Sequence, residues 1–204
     1  SWSRGLGDVY KRQGQVYEMR SDPYGNIFLA DRTYIRIRVI CFDPGQPGFC
    51  FGKKRGYIYH FAGTGVAGDG ADGGGALTEH SGRPRSLAID SKGNVVFVDE
   101  NYRRIRLVCV ESTSPLCLGR TAGNVYRIGG TGTNADGADD VEAVSNDMGI
   151  SYAIALDKYD NIYFTDANYY RIRAICTTTT SNAGFCAGKT AGNMYHVMGS
   201  GSLA

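Results

Sequence analysis

Six cysteines fall in three pairs, Cys41/Cys50, Cys109/Cys117 and Cys176/Cys186, separated by 9, 8 and 10 residues. An even count at matching places along the chain reads as a disulfide framework, and disulfides persist outside the cell or on its surface. Thiolate metal binding is the rival chemistry, but no pair has C-x2-C spacing and no histidine lies close in sequence. Two glycine-rich segments, 63–76 and 130–143, carry Asp69, Asp72, Asp136, Asp139 and Asp140. Carboxylates among glycine turns can offer oxygens to calcium, which is the one candidate cofactor. The same segments lack the order of an EF-hand loop and otherwise read as flexible crossovers. Arg36/Arg38, Arg104/Arg106 and Arg171/Arg173 each set two guanidinium groups on one strand face. Such a ladder could take phosphates or acidic glycans. Asp31, Asp99 and Asp166 precede Arg36, Arg104 and Arg171 by five residues across a turn. The expected use of these groups is therefore a bidentate Asp–Arg pair inside the fold. Tyr34, Tyr102, Tyr169 and Tyr170 gather at the same turn. Tyrosines there either stack on sugars and anchor a protein partner or cap the core. No Ser/His/Asp or Cys/His arrangement stands out, so no catalytic residue is assigned.

The elements that must position these groups repeat. Asp22 to Cys41, Asp90 to Cys109 and Asp157 to Cys176 align at spacings of 68 and 67 residues. A second element follows each, at 53–65, 120–132 and 189–201, and a short one precedes each. In the middle unit the strand candidates are Ser86–Ile89, Val95–Val98, Arg104–Cys109 and Asn124–Gly129. All are rich in Val, Ile, Tyr and Phe and bounded by turn residues. Gly93 in the turn after Asp90 supplies the positive φ of a tight hairpin. The 29 glycines and 14 tyrosines of the 204 residues fit strands and turns. Four antiparallel strands per unit, repeated, make a propeller blade.

The phrase G-N-[IV]-x-[FV]-x-D-x-x-[NY]-x-R-I-R resembles the NHL repeat of β-propellers. Gly25-Asn26 and Gly93-Asn94 match its turn, whereas Asp160 replaces the glycine before Asn161. Asp31, Asp99 and Asp166 match its aspartate, and Asn101 and Asn168 match its asparagine, where the first copy has Thr33. The resemblance covers residues 15–201. It implies an all-β fold of four-stranded antiparallel blades, with three NHL-like blades and an incomplete ring. The units are about 68 residues long against roughly 40–45 for a typical blade. Blade 1 is expected at 15–81, blade 2 at 82–150 and a truncated blade 3 at 151–204. Residues 1–14 are a non-repeat leader; its end, DVYKRQ, resembles a translated sequencing-adapter remnant, and an exposed arm is the other reading.

The family holds binding proteins and enzymes on one scaffold. The leading expectation is a secreted or cell-surface, non-enzymatic recognition or structural module. Its partner is a protein or a glycan, bound on one rim near Tyr102, Tyr169 and the cysteine loops. A metal-dependent lyase, lactonase or hydrolase is the alternative. The lyases of this fold class gather zinc histidines at the central channel, whereas His60 and His196 lie on the fourth strand of a blade. Assembly between chains into a ring or filament is the third reading. Lys and Arg number 22 against 20 Asp and Glu, a net charge of +2, which calls for neither nucleic acid nor an anionic membrane. No apolar run reaches the roughly 18 residues of a membrane helix, so no membrane insertion is expected.

Overall fold

The computed structural model describes residues 14–177 and 184–202. The expectations for residues 1–13 lie outside the described residues. The fold is all-β, three antiparallel meanders built from the three repeats. Blade 1 is β1 (Val16–Ser21), β2 (Ile27–Asp31), β3 (Arg36–Cys41) and β4 (Tyr57–Ala62), hydrogen-bonded in that order. After β5 (Gly74–Gly75), blade 2 follows as β6 (Pro84–Ile89), β7 (Val95–Asp99), β8 (Arg104–Val108) and β9 (Asn124–Gly129). After β10 (Val141–Glu142), blade 3 is β11 (Ile154–Leu156), β12 (Ile162–Asp166), β13 (Arg171–Ile175) and β14 (Asn193–Met198).

The crossovers are not loose links. Short β5 pairs with β9, and β10 with β14, so each crossover leaving one blade becomes the fifth, outermost strand of the next. The inner strands β1, β6 and β11 lie against one another around the axis. Side chains clasp them across the blade junctions: Glu18 Oε2 accepts the Leu87 N–H at 2.7 Å, and Ser86 Oγ accepts the Ile154 N–H at 3.1 Å.

Between blades 1 and 2 the core packs Phe28, Ile37, Val39 and Phe61 against Leu87, Val95, Phe97 and Val108. The equivalent Val96, Ile105, Leu107 and Ile128 pack against Ile154, Ile162, Phe164 and Ile175 at the next junction. Strand alternation therefore gives blade 2 two apolar faces, one for each neighbour. Such burial contributes about 25 cal/mol per Å² of apolar surface.

The Gly-Asn turns show why that phrase recurs. Gly25 and Gly93 have φ of 80° and 84°, and Asp160 adopts the same left-handed conformation at 62°. In blade 2, Asp90 Oδ1 accepts the Lys92 and Asn94 N–H groups, each at 2.8 Å. Buried Asn94 then accepts Val110 N–H at 2.6 Å and Glu111 N–H at 2.8 Å. The asparagine thus ties the first hairpin to the start of the cysteine loop. Asn26 does the same to Phe42 and Asp43, and Asn161 to Thr177. The loops are closed by Cys41–Cys50, Cys109–Cys117 and Cys176–Cys186, with Cα separations of 5.4, 5.7 and 5.6 Å.

Candidate functional site at the axial mouth

Each third strand brings an arginine back to the aspartate that ends the second. The partner is the second arginine of each pair, not the first as expected. Asp31 meets Arg38 at 3.4 Å, Asp99 meets Arg106 at 3.2 Å and Asp166 meets Arg173 at 3.4 Å. Arg36, Arg104 and Arg171 stand directly opposite the aspartates in register. They are drawn outward, where Arg36 donates to Thr64 O at 2.9 Å and Arg104 to Thr131 O at 3.2 Å. The diagonal neighbour, two residues on and on the same face, takes the carboxylate instead. The pairs are deeply buried. Burial pushes Asp99 up to about 6 against the lowering by Arg106, raises Asp166, and lowers Arg173. Asp99 also accepts the N–H groups of Arg83 and Tyr102, binding the start of the inner strand to the turn.

The crossover aspartates are engaged by the next blade. Asp69 pairs with Arg104 and, at 2.6 Å, with Arg106; Asp136 pairs with Arg171. Asp72 and Asp139 accept the backbone N–H groups of Arg127 and His196, both at 2.6 Å. Asp140 accepts from the Tyr195 hydroxyl and from Asn193 at 2.9 Å, and these bonds lower its pKa. His60 bonds Gly63 O, His196 bonds Gly137 O at 3.1 Å, and His80 bonds Thr64 Oγ1 at 2.7 Å.

The expected single rim divides in two. Strands reverse at every turn, so the tyrosine turns and the crossovers lie at one end of each blade. The Gly-Asn turns and the cysteine loops lie at the other. Tyr34 is exposed, with the Arg38 guanidinium 5.7 Å from its ring centre. Tyr102 and Tyr169 are half-buried, and Tyr170 is exposed in the left-handed conformation at φ 48°.

At the tyrosine end, the inner strands open a cavity of about 340 Å³ lined by Tyr17, Glu18, Arg85, Ser86, Tyr152 and Ala153. These are two adjacent repeat positions, each seen three times. The Arg85 guanidinium lies 4.2 Å from the centre of the Tyr152 ring and 5.2 Å from that of Tyr17. Arg32 lies 4.7 Å from the Tyr17 ring centre on the neighbouring turn. Glu100 joins the two arginines, with Oε1 at 2.8 Å from Arg85 and Oε2 at 3.3 Å from Arg32. Sequence reasoning missed this group. The signal was there in the aligned repeats, where Tyr17, Arg85 and Tyr152 share one register position but differ in chemistry. A second cavity, of about 280 Å³, is apolar and lies between the first cysteine loop and blade 2, around Phe49, Phe61, Leu77 and Val110.

No protein-family model matches the sequence, and no curated protein does. Among solved structures, an auxiliary nutrient binding protein from Bacteroides thetaiotaomicron is 17% identical over 72% of this chain and 34% of its own, with a TM-score of 0.50. Virginiamycin B lyase from Staphylococcus aureus is 15% identical over 89% of this chain and 40% of its own, at 0.47. Regucalcin from Agrobacterium tumefaciens is 13% identical over 89% of this chain and 45% of its own, at 0.46. The chain spans less than half the length of each. Likeness at such identity is a likeness of fold, and the fold is that of β-propeller blades.

Proposed function

We propose that the chain belongs to a secreted or cell-surface NHL-type propeller and acts as a non-enzymatic recognition module for a glycan or protein. The observation that carries this reading is the axial mouth. The buried Asp–Arg pairs, the turn asparagines and the cysteines keep one chemistry in all three copies. The repeat position facing the cavity presents Tyr17, Arg85 and Tyr152 instead, joined by Arg32 and Glu100. Aromatic faces with a few converging polar groups are what a binding cleft offers. Tyr34, Tyr102, Tyr169 and Tyr170 extend the same end outward. The three disulfides fit an oxidising compartment, and no described helix is long and apolar enough to cross a membrane. Titration of the chain with extracellular glycans and peptides, followed by recovery of the ligand, tests the reading. A bound ligand recovered unchanged supports it; a ligand recovered cleaved or rearranged points to the enzyme instead.

A second reading, assembly between copies, is favoured by one face of blade 3. Ile172 and Met198 are 37% and 66% exposed there, while the equivalent Ile37 and Ile105 are fully buried against the next blade. Light scattering decides it: this reading expects a mass above the monomer that Ile172→Asp reduces, and a monomer at all concentrations contradicts it.

A further inference from the structure

Resting on the recognition reading, the geometry of the mouth points to a ligand class: we propose that it binds the carboxylate-bearing ring of an acidic glycan. Glu100 is shared by Arg32 and Arg85, and Glu18 is paired with Arg20, so three guanidinium groups stand against two carboxylates and the group keeps one positive charge in surplus. Glu100 takes one N–H from each, and a guanidinium carries five, arranged in a fork that fits a carboxylate. The side chains of Arg32 and Arg85 are 28% and 27% exposed, open enough to be reached yet partly withdrawn from water, where charge pairing strengthens. Beside them, Tyr152 is 47% exposed, with one ring face over Arg85 and the rest open to a flat apolar surface. The C–H face of a pyranose is such a surface.

The tyrosine face selects among anions. An acidic peptide such as triglutamate offers carboxylates to the arginines and backbone N–H donors to Glu100 and Glu18, but no flat C–H face for Tyr152. A uronate ring brings a carboxylate for the arginines, hydroxyl donors for the glutamates and a face for Tyr152. Its charge and its hydroxyls meet both signs in the cavity.

The test is calorimetric titration of the full chain with trigalacturonate, with neutral galactotriose and with a triglutamate peptide. The expected result is saturable binding of trigalacturonate, with galactotriose at least tenfold weaker. Arg85→Gln and Tyr152→Ala should each weaken trigalacturonate at least tenfold without lowering the thermal midpoint. Tyr152 lies outside the strands and carries the test if Arg85→Gln unfolds. Equal binding of the neutral sugar overturns the inference and leaves the recognition reading standing. Preference for the peptide, or binding of none of the three, also overturns it.

Discussion

Asp99 meets three demands at once: it accepts the Arg83 and Tyr102 N–H groups and pairs with Arg106 in a site closed to water. Its folded pKa of about 6 stands above the ordinary aspartate value of 3.8. Between those values the folded chain holds a proton that the unfolded chain has released. Stability contributed by Asp99 therefore falls as pH rises from about 4 to about 6, and is level above. Asp166 is shifted in the same direction and adds to this slope. Urea midpoints measured across that window should decline with pH, and Asp99→Asn should flatten the decline. Both members of each ion pair were legible as repeated residues, but not which arginine pairs. Sequence spacing gives the opposed neighbour, whereas the outward pull of the crossover carbonyl on that neighbour comes from a segment about thirty residues away.

At the scale of the element, the Asp-x-x-Gly-Asn turn acts as a joint between two loops. Asn94→Ala leaves the Val110 and Glu111 N–H groups without their acceptor, and both bonds leave from a fully buried side chain. The expected loss is about 2–3 kcal/mol, read by urea unfolding; a loss under about 0.5 kcal/mol would contradict the joint. Opening the Cys109–Cys117 loop by a double alanine substitution should cost about 2–3 kcal/mol on chain-entropy grounds. Non-reducing peptide mapping should recover the 41–50, 109–117 and 176–186 links, and crossed pairs would contradict blade-local closure. The strands were legible because their alternation and turn residues agree; in blade 2 the expected and observed ranges differ by two residues at most. The fifth strands were not, because each is 2 residues long, too short to alternate, and its pairing depends on where the next blade lies.

For the whole molecule, the crossovers fasten each blade to the next through arginine. Asp69 and Asp136 reach across a junction, and Arg106 also donates to Gly70 O at 3.2 Å. With carboxylate oxygens held by guanidinium and backbone N–H groups, EDTA or millimolar calcium is expected to leave the thermal midpoint unchanged. A calcium-dependent rise in scanning fluorimetry would show that these loops take the ion. The axial mouth is likewise a property of the whole, since Tyr17, Arg85 and Tyr152 come together only when three inner strands share one axis. The most direct measurement of the central claim is an arginine side-chain NMR spectrum of the full chain during titration with trigalacturonate. Recognition at the mouth predicts that the Nε signals of Arg32 and Arg85 move together and saturate, while Arg120 on the cysteine-loop end stays still and the sugar is recovered intact. Shifts confined to the cysteine-loop end, or cleavage of the sugar, would contradict it.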